Sequence, residues 1–317
     1  MQDEFGFAID PVTIANLKRL SEEASVIGEE RILELAEYVD VVVSAFLDLS
    51  SFDLDAYGKL SLLSDALVFD SAAVHELALE ENVELLSRMQ RDFSLSDKAV
   101  FSTLLVDRCR RAGIALEEGA FLSTRSGNET FAYVRNQFSD EAFDVLSLDY
   151  SDAKVKYFPN FSECVRAVVE DSCQFCLLPL EERGGVRLHS VSELIFRQDL
   201  KINSVTPVFG LDNSVDIKYA LLSKILAPIS FEEGDDRYIE IRLDSTSELG
   251  LSDLLSAASY FGNSVYRVNT QTFELDGGQS SFFTVVLRGE RDFSGLLCFL
   301  TLFADDYTVV GLYKNVE

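Results

Sequence analysis

The 317-residue chain has no tryptophan, only two methionines and five prolines, and only two histidines, His75 and His189. So few imidazoles leave little room for a histidine-based metal centre or a Ser-His-Asp triad. No G-x-S-x-G, Walker or G-x-G-x-x-G sequence occurs, which removes the usual nucleophile-elbow, P-loop and dinucleotide signatures. Basic residues are scarce, 27 against 54 acidic ones, for a formal net charge of −27. Such a surface repels nucleic acid and anionic membranes, and neither is expected as a partner. It also repels anionic metabolites, so any anion site has to be a local basic pocket or a helix N-terminus. No apolar run approaches the roughly 20 residues needed to cross a bilayer. The opening MQDEFGFAID lacks a signal-peptide core, and the expected location is the cytoplasm. The five cysteines, Cys109, Cys164, Cys173, Cys176 and Cys298, are odd in number and read as reduced thiols. Cys173 and Cys176 form a C-x-x-C at the edge of an apolar strand, with no second pair to complete a zinc site. No metal and no cofactor is expected.

What is present suffices for real cores. Hydrophobic residues make up 47% and aromatics 11%, without low-complexity runs, so global disorder is not expected. The length fits two or three domains. The expected class is α+β multidomain, with segments 1–112, 113–233 and 234–317. The first reads as all-helical. Leu33, Ala36, Val39 and Val43 fall at helical spacing, extended by Phe46 and Leu47, and Leu77, Leu85 and Met89 mark another apolar face. Ser94-Leu95-Ser96-Asp97 looks like a helix start. Val100, Leu104 and Leu105 face inward from it, and Gly113 is the stop.

The second segment predicts strands at Ala120–Leu122 and Val145–Leu148, and a turn at Ser126-Gly127-Asn128-Glu129-Thr130-Phe131. A strand then closes at Phe158-Pro159-Asn160. Ser162 caps a helix with Val165, Val168 and Val169 on its apolar face. Phe175–Leu178 is a short buried strand ending at Pro179-Leu180-Glu181 and a Gly184-Gly185 turn. Next come a helix at Val191–Arg197, a strand at Val205–Phe209 and a helix at Ile217–Leu226. In open α/β sheets ligands sit beyond the carboxyl ends of strands, so a carboxylate just past such a strand is a candidate catalytic group.

The third segment is a β-α-β-β-α-β run, the ferredoxin-like order. It comprises strand Arg237–Asp244, helix Leu251–Phe261, strands Ser264–Phe273 and Phe282–Arg288, helix Phe293–Phe303 and strand Tyr307–Tyr313. Asp276-Gly277-Gly278 is its hairpin turn.

Pro179-Leu180-Glu181 followed by Glu193-Leu194-Ile195 resembles the prephenate dehydratases, which have Pro-Ile-Glu-Asn-Ser and Asp-Leu-Leu in those places. Glu182 and Arg183 replace the Asn and Ser. Thr130 and Phe131 match the Thr-Phe of the family's Gly-Pro-x-Gly-Thr-Phe-Ser. Val310-Gly311-Leu312-Tyr313 is similar to the closing Leu-Gly-Ser-Tyr of the ACT regulatory domains attached to these enzymes. The resemblance implies one α/β lobe like half of a type II periplasmic-binding-protein fold, with a C-terminal ACT-like domain. It implies Glu181 and Thr130 as candidate catalytic residues and Thr130, Phe131, Glu182 and Arg183 as substrate contacts. Gly250, Asn269 and Thr270 would stand in the effector site. The helical segment is similar in outline to a chorismate mutase, with Arg31, Arg88, Arg108, Arg110 and Arg111 available, although surface arginines are the plain alternative.

One expected feature is missing. The family's second lobe, ending in Thr-Arg-Phe, has no room between Phe209 and the strand starting at Arg237. The implied function is therefore a catalytically degenerate relative with a regulatory or scaffolding role, dimeric through the ACT-like domain. The alternatives are an active dehydratase completed by a partner chain, or a sensor of a small aromatic acid or amino acid.

Overall fold

A computed structural model describes residues 28–48, 58, 60, 92–116, 118–122, 129–148, 150, 152–210, 214–227, 235–247, 249–275, 278–290, 292–304 and 307–316. Leu77, Leu85, Arg88, Met89, the Ser126-Gly127-Asn128 turn and Asp276-Gly277 lie outside them. The chain divides into two compact units that interleave along the sequence.

The first unit draws on residues 1–121, 245–264 and 292–307. Its helices are α1 (Glu29–Asp48), α2 (Leu95–Arg111), α6 (Leu251–Tyr260) and α7 (Ser294–Phe303), and α1, α6 and α7 all pack on α2. Helix α2 starts as the sequence predicts. The Ser94 hydroxyl accepts from the Asp97 N–H, the Asp97 carboxylate accepts from the Ser94 N–H, and two orphan donors are satisfied. It stops at Gly113 (φ +74°), whose N–H and that of Ile114 donate to the Arg110 and Cys109 carbonyls. Val100, Leu104 and Leu105 are buried. On α1 the buried stripe is Leu35, Val39, Val42 and Val43, and Leu33 is exposed. Ala120–Leu122 is not a strand. Glu118–Phe121 makes a 3₁₀ turn, because the buried Glu118 carboxylate accepts from the Phe293 N–H at 2.9 Å and caps α7.

The second unit holds the strands, as one mixed sheet. They are β1 (Thr130–Tyr133), β2 (Lys154–Tyr157), β3 (Phe175–Glu182), β4 (Val186–Arg187), β5 (Lys201–Phe209), β6 (Val215–Ser223), β7 (Arg237–Asp244), β8 (Ser264–Leu275), β9 (Gly278–Gly289) and β10 (Tyr307–Lys314). The order is β2-β1-β3-β6-β5-β10-β7-β9-β8, with β4 added to β3. Helices α3 (Gln137–Leu146), α4 (Phe161–Val169) and α5 (His189–Arg197) flank it. Parallel strands β1, β2 and β3 are linked through α3 and α4. Residues of α4 and α5 share one core with Leu178, Leu180, Ala220 and Leu222, and residues of α3 share the other with Phe131, Leu177, Tyr219 and Leu221.

Burial on both faces explains one departure from the expected elements. Residues 217–226 are apolar at helical spacing, yet residues 215–223 form β6. Tyr219 and Leu221 enter one core and Ala220 and Leu222 the other. A strand covered on both faces is a continuous apolar run, which spacing alone does not separate from a helix. Val145–Leu148 closes α3 rather than forming a strand, because the Asn136–Ser139 capping box starts a helix ten residues long. Likewise Asn160, not Ser162, caps α4. Its side chain accepts from the Glu163 N–H at 2.9 Å.

Residues 210–214 alone separate β5 from β6, which pair as an antiparallel hairpin. The β7-α6-β8-β9-α7-β10 run supplies strands ordered β10-β7-β9-β8, and β10 lies parallel to β5. There Gly311 faces Ile202, and a Cβ at Gly311 would stand 2.9 Å from the Ile202 Cβ. Glycine is what lets the two strands meet.

Candidate functional site

Glu181 was expected just beyond a strand end. It lies inside β3 instead, only 5% exposed. Pairing of β3 with β1 ends at Cys176, and the pairing with β6 slips between Pro179 and Glu181. Proline has no N–H for the ladder and is tolerated at such an irregularity. The bulge puts one extra residue into β3, and bulges of this kind re-aim side chains. Glu181 consequently stands opposite Lys218 of β6 on one side and Arg187 of β4 on the other. Residues directly opposite in antiparallel strands share a face.

The sheet curls enough for this face to meet side chains of its far edge. Arg267 of β8 grips the Glu181 carboxylate with both terminal nitrogens, one to Oε1 and the other to Oε2 at 3.2 Å. The Lys218 ammonium stands 3.7 Å from Oε2 and donates to the Tyr266 hydroxyl at 3.2 Å. Beside this group, Arg187 and Glu240 form a second fork-to-fork pair at 2.9 and 2.7 Å, with side chains 8% and 1% exposed. Burial works against the Arg187 charge, but the Glu240 carboxylate more than offsets it and raises the guanidinium above its ordinary range. Burial, and then Glu240, pushes the Tyr313 phenol well above its ordinary value, with Arg187 opposing. Chemically, this is a buried cluster in which each carboxylate is paired with a cation. Both Glu181 oxygens are occupied by cations, so the carboxylate presents no open side to a substrate.

The remaining residues singled out in the sequence are dispersed. Thr130 and Phe131 lie in β1, between β2 and β3, and Phe131 is wholly buried against Phe143, Tyr150 and Phe175. Neither opens a helix. The turn that feeds a helix runs over Val134–Asn136 instead, and α3 begins at Gln137. The Asn136-x-x-Ser139 capping pattern is the signal that locates it. Ser139 is committed to that cap, donating to the Val134 carbonyl at 2.8 Å. At the ends of β1 and β2, Arg135 stacks 5.0 Å from the Tyr157 ring, and the Tyr133 hydroxyl donates to Asp140 at 2.9 Å.

Glu182 is exposed at the end of β3, opposite Val186. Arg183 is turned to the other neighbour, donating to Ser214 at 2.6 Å and standing 3.7 Å from Asp216. Gly250 is the N-cap residue of α6 in the first unit. Asn269 and Thr270 lie on β8 in the second, Asn269 half-buried and Thr270 exposed. Of the arginines in the helical segment, Arg31 pairs with Asp97 and Glu34, Arg108 with Asp40 and Arg111 with Asp107. Among the described residues no group of three His, Cys, Asp or Glu is placed to hold a metal ion, and no helix is long and apolar enough to cross a membrane.

No family model and no curated protein matches the chain. Among solved structures, it is similar to a prephenate dehydratase from Streptococcus mutans, at 16% identity and a TM-score of 0.47, over 59% of this chain and 99% of that one. It is also similar to GqqA, titled a novel type of quorum quenching acylase, at 15% identity and TM-score 0.44, over 59% and 96%. A third is the prephenate dehydratase from Arthrobacter aurescens in complex with L-Phe, at 12% and 0.43, over 58% and 89%. At these values the likeness assigns neither a reaction nor a ligand.

Proposed function

We propose that this chain is a prephenate-dehydratase-like protein that does not turn prephenate over, and that it acts as a regulatory or scaffolding relative in aromatic amino acid synthesis. On this reading β7 to β10 with α6 and α7 form an ACT-like segment, through which two copies pair. The observation that carries the reading is the Arg267 grip on Glu181. The dehydration needs an acid to protonate the departing hydroxyl and donors that hold two carboxylates away from water. A carboxylate with both oxygens bound to Arg267 and Lys218 is not free for proton transfer. The five residues between β5 and β6 agree with this, since they leave no place for a second lobe there. The motif residues Pro179-Leu180-Glu181, Glu193-Leu194-Ile195 and Gly311 support the ancestry.

The test is a direct assay. The purified chain is mixed with prephenate, and phenylpyruvate is followed by its absorbance beside a Glu181→Ala control. The expected rate equals that of the control. Turnover clearly above it overturns the reading and restores Glu181 as a catalytic group.

A further inference from the structure

Helix α5 carries His189, Ser192 and Phe196 at i, i+3 and i+7, which is one stripe. That stripe faces the C-terminal strands. Phe273 of β8 stacks on His189 and Phe196, with ring centroids 5.7 and 4.6 Å apart, and Phe282 of β9 lies 4.8 Å from Phe196. The Arg242 guanidinium of β7 sits 4.5 Å from the Phe196 centroid. A helical side chain covers the turn preceding its own Cα, so the ring of Phe196 and the cation on it lie towards Ser192.

The strands bring further polar groups to the same face, among them Thr284, whose hydroxyl donates to the Gln271 Oε1 at 3.2 Å. Arg242 is opposite Thr284. The Thr272 and Ser281 hydroxyls, 3.0 Å apart across the β8–β9 hairpin, set Asn269 opposite Thr284 in turn. Arg242, Thr284 and Asn269 thus form one row across three strands. Among the described residues the hydrogen bond Arg242 makes is a long one to Thr308, at 3.4 Å, and no carboxylate pairs with it. Burial lowers its guanidinium from the ordinary value, against the opposing charges of Asp199 and Glu240. The buried Ser192 Oγ, Asn269 Nδ2 and Arg187 Nε have no hydrogen-bond partner there either. Ser192 is 5% exposed, and the Arg187 side chain 8%.

Charge gives the sign of what would satisfy them. Arg187, Arg242, Arg267 and Lys218 stand against Glu181, Glu240 and, through its charge on Arg242, Asp199, an excess of one positive charge in a chain whose net charge is −27. An orphaned buried donor costs about 1–3 kcal/mol, so several on facing layers need an acceptor. The amide N–H and the guanidinium only donate, and the serine hydroxyl can donate too, so the fitting partner is rich in acceptors. Phenyl rings beside the row favour a planar apolar group on it.

We propose that the layer between α5 and the β7-β9-β8 face binds a small carboxylate anion, held by Arg242, Ser192 Oγ and Asn269 Nδ2. The site is separate from the Glu181 oxygens and holds whether or not the chain turns prephenate over. Calorimetric titration of the full chain with benzoate and with acetate, at constant ionic strength, tests it. Saturable one-to-one binding at millimolar acid is expected, tighter for benzoate. Losing a hydrogen bond to a charged group should weaken it about tenfold in Arg242→Gln and several-fold in Ser192→Ala. Ser192→Ala removes one oxygen and serves if Arg242→Gln does not fold. Absence of saturable heat with both acids overturns the proposal. So does an affinity unchanged in Ser192→Ala, which would leave water to satisfy these groups.

Discussion

At the scale of single residues, the chemistry of this chain turns on how its buried charges are paired. Glu240 and Arg187 are almost wholly enclosed and satisfy each other through two hydrogen bonds. Removing one partner of such a pair strands the other, at a cost of about 3–5 kcal/mol. Replacing both by apolar groups of similar volume removes the desolvation cost as well. Glu240→Ala should therefore lower unfolding stability by about 3–5 kcal/mol in urea titration, while Arg187→Met with Glu240→Leu should recover most of the loss. A double variant as unstable as the single one would mean that the pair is needed to specify the fold. Glu181 itself was legible in the sequence as the residue to follow. Its role was not, because the Arg267 that grips it lies 86 residues away. Its facing direction was set by a bulge that no local pattern announces.

At the scale of elements, turns and caps were easier to find than strands. Ser94, Gly113 and the Gly184-Gly185 turn act where their local chemistry puts them. The two glycines of that turn both have positive φ, +82° and +77°, but their surroundings differ. A Cβ on Gly184 meets nothing within 4 Å, whereas one on Gly185 would stand 3.0 Å from an Arg267 guanidinium nitrogen. Gly184→Ala should cost only the backbone penalty of about 1–2 kcal/mol. Gly185→Ala should cost more, because it also presses on the cation that holds Glu181. Equal melting-temperature losses in the two variants would argue that Arg267 yields freely. Strand β6 reads as a helix because burial on both faces erases the period of two.

At the scale of the whole molecule, the sheet does not respect the apparent modules. Strand β10 of the C-terminal run adds to β5, and the seam passes through Gly311 and Ile202. Extending the ladder across that seam leaves both segments sharing a core that includes Val205, Tyr238, Val310 and Tyr313. Gly311→Ala forces a methyl against the Ile202 Cβ and the Tyr313 ring. Overpacking of this kind costs about 1–3 kcal/mol. The strands of the second unit should still unfold in one transition, shifted to lower denaturant. The appearance of two separated transitions would show that the β5 and β10 sides are independently stable.

By itself the sequence determined the local features. These are the start and stop of α2, the Gly184-Gly185 turn and the β-α-β-β-α-β order of the C-terminal run. Each depends on neighbours within a few residues, where capping, φ and alternation act. Only the tertiary structure decided that Glu181 is gripped by Arg267, that Arg187 meets Glu240, and that α5 faces Arg242 and Asn269. Those outcomes depend on sheet order, a bulge and the curl of the sheet. They bring together residues far apart in the chain, and the energies that select them arise only after burial removes water.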